Sequence, residues 1–441
     1  MSAHKPLHVI IAGGGIGGLA LANGLRKAGV SVAVYERDRH RTDRLQGFRI
    51  HISPQGSRSL HELLPEQMYR AFVANSGKGA TKFGFVTEQM RELLNLDADV
   101  IETGPRDEID RNYGISRITL RQILLADLGA VVRYDKTVTG YRESPDGRVE
   151  VHFADGGTAT GDVLVGADGG TSRVRAQRLP DARRVETGIV TVVGKFGLTD
   201  ESRHRIAPKF LESPLSVMPP TSCGMFIAPH EFDRPDSRFG GIGGNDDAAA
   251  SSPGALLDNT QPYVFWAYAA KRADYPTDVA LESLRPRQLH EMVNAMTARW
   301  APQLRELIGG TDTETVTLIS IRTSTPVSAW ETTRVTLLGD AIHSMTPFRG
   351  IGANVALRDA RLLCEKLVAA DRGARPLLAA IHDYEAQMID YGFKAVRDSA
   401  TAANQAVSDS RAGRTIGRMV FRVAEAVPSL KRKMFSDFGS E

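Results

Sequence analysis

The sequence predicts an α/β fold: a parallel sheet layered with helices, joined to a mixed β-sheet and followed by C-terminal helices. Three observations predict it. Leu7 to Ala12 is a short apolar run that passes through a glycine turn into a helix and then into a second apolar run, Val30 to Tyr35. Two further apolar runs, Asp162 to Ala167 and Val335 to Leu338, are followed by Asp-Gly and Gly-Asp turns. Between them lie β-rich runs with no helical spacing: Gly188 to Gly197, Leu215 to Pro229 and Gln261 to Ala270.

Length and composition bound the answer. At roughly 150 residues per domain, 441 residues make two or three domains. A chain 42% hydrophobic and 24% charged is ordinarily globular. The net charge of +3 gives no whole-chain case for nucleic-acid binding. Cys223 and Cys364 lie far apart, which argues against a disulfide framework and fits a reducing compartment. No apolar run approaches the length of a transmembrane segment. The first six residues lead straight into a strand and leave no room for a secretory signal. The expectation is a soluble, cytoplasmic protein. Its histidines form no HExxH or comparable ligand cluster, so no metal site is expected.

The first element is the sharpest. Leu7 to Ala12 suits a buried parallel strand. Gly13, Gly14, Gly15, Ile16, Gly17 and Gly18 follow, Leu19 to Ala28 has helical spacing, and Gly29 terminates it. The second strand ends at Glu36. Strand, glycine turn, helix, strand and acid form the first unit of a Rossmann-type dinucleotide site. Gly13 permits the tight turn, Gly15 lets backbone approach a pyrophosphate, and Gly18 permits close helix–sheet packing. The helix N-terminus offers N–H groups and a positive dipole end to phosphates, and Glu36 can accept hydrogen bonds from ribose hydroxyls.

The two later turns narrow the nucleotide. The stretch GADGGTSRVR, residues 166–175, resembles the GADGxxSxVR motif of class A flavoprotein monooxygenases. GDAIHSMTPFRGIGANVALRDA, residues 339–360, resembles that family's second FAD motif. The resemblance covers approximately residues 7–400. Physically, Asp340 at a strand end can fix a ribityl hydroxyl, or it can cap a helix. The turn from Pro347 through Gly350 to Gly352, Ala353 and Asn354 opens a helix whose N–H groups can stabilise negative charge at flavin N1 and O2.

The resemblance implies that Gly13, Gly15, Gly18, Glu36 and Arg37 hold the adenosine diphosphate half of non-covalent FAD. It implies that Arg117 contacts the flavin, with Arg121 either assisting or forming a solvated face. It assigns Asp168 to FAD and to the passage used by NADPH or NADH; the alternative is a turn carboxylate bonded to local backbone. Two departures stand out. Ile351 replaces the common Gln, with Arg349 beside it, and Arg49 occupies a position where relatives carry a small residue. Either arginine could meet FAD, NADPH or an anionic substrate; the alternative is an ordinary surface arginine. His343 reads as a packing and hydrogen-bonding residue, and no catalytic residue is identifiable.

The FAD-binding domain is expected to be discontinuous, from residues 1–75, 115–185 and 323–400. Residues 76–114 and 186–322 make the substrate domain, and residues 401–441 a C-terminal helical segment; beyond Pro376, residues 382–396 and 411–427 have helix-forming character. Phe226, Phe265, Trp266 and Tyr268 offer aromatic surface, which strand alternation divides between two faces. Phe239 to Gly244 reads as a loop or hairpin rather than a second nucleotide site. Lys431 to Lys433 could touch anionic lipid or a partner, but one short cluster gives marginal membrane affinity, and a solvated basic helix end is the stronger reading.

The function implied is an NAD(P)H-dependent FAD monooxygenase of secondary metabolism. In the family's mechanism, O2 adds at flavin C4a and the hydroperoxide passes one oxygen atom to an aromatic or polyketide-like small molecule. The alternatives are epoxidation, Baeyer–Villiger oxidation, or a non-redox cyclase that keeps FAD as a structural element.

Overall fold

The computed structural model describes residues 6–39, 49–78, 82–97, 107–230 and 262–435. Five strands form an all-parallel sheet in the order Val335–Leu337, Val163–Gly166, His8–Ala12, Ser31–Tyr35 and Val132–Arg133. The central strands are solid apolar runs because helices cover the sheet. Val9, Ile10, Ile11 and Val163 to Val165 are completely buried.

The helix after the first strand spans Ile16–Lys27, so it starts three residues before the point its apolar spacing suggests. Gly17 and Gly18 belong to its first turn. They hide the start in sequence because glycine is a poor helix former, yet packing requires both. A Cβ on Gly18 would lie 2.3 Å from the Gly13 carbonyl oxygen, and one on Gly17 would lie 2.7 Å from the Leu338 side chain.

The second sheet has seven strands in the order Thr317–Ser324, Arg184–Gly197, Tyr263–Lys271, Cys223–His230, Leu215–Val217, Phe83–Val86 and Glu92–Leu96. It is mixed: Leu215–Val217 runs parallel to Phe83–Val86, and the other pairs are antiparallel. The run read as one strand from Leu215 to Pro229 is therefore two. Pro219 and Pro220 lack the N–H groups a continuous ladder needs, and the chain turns there.

Alternation sorts the aromatic residues. Trp266 and Tyr268 join Val190, Val192, Met225 and Ile227 in a core against the helices Pro286–Met296 and Pro302–Gly309. Phe226 and Phe265 point the opposite way, with cross-strand partners Ala267 and Lys195.

The C-terminal part is helical: Gly352–Asp371, Leu377–Ala406, Arg411–Ala426 and Pro428–Phe435. Phe239 to Gly244 lies outside the described residues.

The glycine contacts make a prediction. Gly18→Ala places a methyl group against fixed backbone and should cost at least about 2 kcal/mol. Gly29→Ala, at φ +85° but with nothing near its Cβ, should cost about 1 kcal/mol. Urea unfolding midpoints of the two variants test the ordering.

Candidate cofactor and active site

Three turns from distant parts of the chain meet at the C-terminal ends of neighbouring strands in the parallel sheet, where α/β folds place ligands. Gly13 leaves the first strand at φ +109° and donates to the Tyr35 carbonyl at 2.8 Å. A Cβ there would fall 2.4 Å from the Ala167 oxygen, so only glycine brings the first turn this close to the Asp168 turn. Gly15, the N-cap of the first helix, has no side-chain cap, and a Cβ there would have nothing within 4 Å. The turn thus presents open space in front of a helix N-terminus, as an approaching pyrophosphate requires.

Glu36 is buried and tied to this turn. Its Oε2 accepts from Gly14 N–H at 2.6 Å and its Oε1 from Asp38 N–H at 3.0 Å. A carboxylate has about four acceptor positions, so two bonds leave room for ribose hydroxyls. Arg121 is not a solvated side chain: its Nε donates to the Gly14 carbonyl at 3.1 Å. Arg37 and Arg117 are exposed. Arg117 opens the helix Arg117–Leu125, whose start is capped by Ser116.

In the second turn, Asp168 Oδ2 accepts from Arg173 N–H at 2.7 Å. The local-turn role is therefore real, but it uses one oxygen; Oδ1 is buried and accepts no hydrogen bond. Burial pushes this carboxyl above its usual range, against the downward pull of Ser172 and nearby backbone N–H groups. A carboxylate with an unused buried oxygen suits a ligand hydroxyl or amide.

The third turn holds Asp340, exposed in a stretch where its neighbours Gly339 and Ala341 are buried. Gly339 is the N-cap of the helix Asp340–His343 and Asp340 its first residue, so Asp340 does not occupy the capping position. Beyond it, Gly350 adopts φ +66° and the helix Gly352–Asp371 begins without a side-chain cap. Gly352 and Ala353 are partly exposed there. Pro347 starts a short turn whose Arg349 pairs with Asp398 at 3.2 Å. Asn354 uses its side chain inside the protein: its oxygen accepts from Ser53 N–H at 2.9 Å and its nitrogen donates to the His51 carbonyl at 3.0 Å. Any cofactor contact by Asn354 falls to its backbone N–H.

Two side chains that composition and spacing did not single out join these turns. Arg175 donates to the Ala341 carbonyl at 2.8 Å and to the Gly170 carbonyl at 3.1 Å, linking the second turn to the third. Arg184 lies over Gly170 and is drawn electrostatically to Asp340; burial lowers its pKa and Asp340 opposes the shift. Arg175 stood within a quoted motif, whereas Arg184 carried no signal at all.

Under the third turn lies a buried network. Asp359 Oδ2 accepts from Gly339 N–H at 2.7 Å and bonds His343 Nε2 at 2.7 Å, while Oδ1 accepts from Tyr391 at 2.6 Å. Burial opposes a charged His343, but Asp359, with a contribution from Asp340, raises its pKa above the ordinary 6.5. His343 therefore holds the turn in place, as a packing and hydrogen-bonding residue.

The outward aromatic face of the seven-stranded sheet is tied to this turn by Phe348. Phe348 packs against a buried cluster formed by Ile189, Ala269 and Ile321 on the sheet, Ala403 of the long helix and Val407 just beyond it. Phe226, Phe265, Val193 and Ala267 continue that face. At its far end, Arg49 lies against Gly114, and the buried Lys195 ammonium sits 4.2 Å from the Tyr263 ring centre. Burial and then Arg49 hold His51 down to about 4; burial, Arg49 and Lys195 hold His230 down to about 3. Charge in this corner rests on arginine and lysine, with both histidines neutral near pH 7. A cleft of about 770 Å³, lined by Thr187, Ile189, Lys271, Arg272, Val407 and Asp409 among others, borders the cluster under Phe348 and contains none of the motif residues.

The open face at Gly15, the unused Asp168 oxygen, the exposed Asp340 and the uncapped helix at Gly352 together fit an extended dinucleotide. The family profile described as FAD binding domain matches residues 6–210 and 261–398. The chain belongs to the FAD-binding domain family. It is a homologue of class A flavoprotein monooxygenases. It is 31% identical over 399 residues to the dual O-methyltransferase/FAD-dependent monooxygenase CTB3 of Cercospora beticola, covering 86% of this chain and 44% of that protein. It thus spans less than half the length of that relative. It is 29% identical over 391 residues to the 3-amino-4-hydroxybenzoate 2-monooxygenase PtnB3 of Streptomyces platensis, covering 86% of this chain and 83% of the relative. Among solved structures, a proposed FAD-containing monooxygenase from Photorhabdus luminescens superposes with a TM-score of 0.79 at 33% identity, covering 91% of this chain and 98% of that one.

The raised His343 pKa gives this FAD-binding chain a signed pH dependence. Its contribution to stability is complete below the unfolded histidine value and is lost as pH rises through the folded one. His51 and His230, held low, act in the opposite sense below about pH 7, so the test is the difference: urea midpoints measured from about pH 6 to pH 9 should show the gap between wild type and His343→Gln shifting against the wild type as pH rises.

Proposed function

We propose that the protein is an NAD(P)H-dependent monooxygenase that hydroxylates an aromatic small molecule carrying an acidic group. The observation that carries this reading is the packing of Phe348, from the second FAD motif, against the sheet face that bears Phe226 and Phe265. That contact sets an apolar aromatic wall beside the flavin-binding turn, with a cationic corner at its far end.

The residues divide the work. Glu36, the Gly13–Gly15 turn and Arg37 hold the adenosine diphosphate half. Asp168, Asp340 and the N–H groups of Gly352, Ala353 and Asn354 hold the flavin half, with Arg117 alongside. FAD, when bound, accepts two electrons from NADPH or NADH and uses them to split O2 between product and water. Phe226 and Phe265 remove the substrate's apolar surface from water, which protects the oxygen-transfer step. Arg49, with Lys195 behind it, orients a carboxylate or phenolate by charge-assisted hydrogen bonds. The PtnB3 relative is named for an aromatic acid, which supports this class.

The test is turnover with NADPH and a panel of hydroxylated benzoates, with products identified by mass. Expected is the gain of one oxygen atom, coupled to NADPH oxidation. Arg49→Gln should raise KM for acidic substrates by about tenfold or more, the loss of one charge-assisted contact, and leave their amides unaffected. Phe265→Ala should raise KM for both. Flavin that NADPH and NADH fail to reduce with every substrate present would refute the reading.

A further inference from the structure

The helix Arg411–Ala426 is mounted with its polar side inward. An ordinary surface helix turns its apolar stripe to the core; here Ile416, Met419, Val420 and Val423, at helical spacing, are 61%, 63%, 37% and 46% exposed. Val427 and Met434, in the turn and helix that follow, are exposed as well. Six of the ten exposed large hydrophobic residues among the described residues lie in this short segment.

The inner side is held by two arginines. Arg414 donates to the carbonyls of Pro219, Cys223, Ala406 and Ser408, and Arg418 donates to Met218 and pairs with Glu88. Phe421 and Ala424 complete it against Leu94 and Leu96, so the helix also covers the sheet's edge strand. These contacts fix which side faces out.

Charge selects the occupant. Residues 411–435 carry seven basic residues and one acid, in a chain whose net charge is only +3. Arg411, Arg422, Arg432 and Lys433 are exposed beside the apolar stripe. The neighbouring acids are engaged: Glu425 with Lys431, Glu88 with Arg418, and Asp409 with Lys271. A second copy of this surface would bring the same cations together. An anionic lipid surface complements both the stripe and its rim.

We infer that the outward face of residues 411–434 docks the protein peripherally on anionic membranes. The apolar side chains enter the headgroup boundary while the four cations meet lipid phosphates. No helix among the described residues is long and apolar enough to cross a membrane, so the contact lies in the interface plane.

Co-sedimentation of the full chain with vesicles tests this, using phosphatidylcholine alone and an equal mixture with phosphatidylglycerol. Expected is binding to the mixture only, weakening steeply with salt. Arg422→Gln combined with Arg432→Gln should lower partitioning about thirtyfold, and Val423→Asp about tenfold or more. Both changes point away from the core, and unchanged flavin content verifies folding. Absence of binding to the anionic vesicles, or binding untouched by both variants, overturns the inference. So does a stable dimer in sedimentation equilibrium that Val423→Asp dissociates, which would assign the face to a second copy.

Discussion

The contact between Gly13, Gly18 and Ala167 governs the rest of the site. Ala167 donates to the Ala12 carbonyl at 2.7 Å, and Leu338 donates to the Gly166 carbonyl at 3.0 Å, so neighbouring strand ends are stitched side by side. Side chains at Gly13 or Gly18 would push the first helix off the sheet and the first turn away from the second. Because those turns are close, their helix N-termini and carboxylates can address opposite halves of one dinucleotide. The site is a consequence of backbone packing before it is a set of side chains.

Around this contact the protein spends buried polar groups on position. Asp359 bonds Gly339, His343 and Tyr391, and Arg175 bridges the second and third turns. Such groups are costly to bury unless satisfied, and here each fixes a turn whose backbone must meet a ligand. Arg358 stacks on the Tyr391 ring at 3.7 Å, completing the support on the outer side of the network. The same logic places Arg49 and Lys195 at one end of an otherwise apolar wall.

Local patterns made much of this legible. The strand–glycine–helix–strand–acid unit and the two later turns stand where their sequences place them, because each encodes its own backbone geometry. Long-range side-chain choices did not show. Nothing in the sequence around Arg184 says that it lies over Gly170, and the tie of Glu36 to Gly14 depends on three-dimensional closure. Alternation could separate Phe265 from Trp266 but could not say which shared a face with the turn at Pro347; Phe348 supplies that answer. The periodicity of residues 411–427 gave a helix and left its orientation open, since Arg414 and Arg418 find their carbonyl partners only in the folded chain.

The central claim is that three distant turns form one site for a single FAD, with the adenosine half at Glu36 and the flavin half at Asp340. Displacement of FAD by ADP, followed by flavin fluorescence, tests it most directly. The account predicts that each chain releases one FAD competitively. Gly15→Val should weaken both ligands while leaving thermal stability unchanged, and Asp340→Asn should weaken FAD without changing ADP affinity. ADP that binds alongside FAD, or an Asp340→Asn variant that loses ADP and FAD equally, would contradict it.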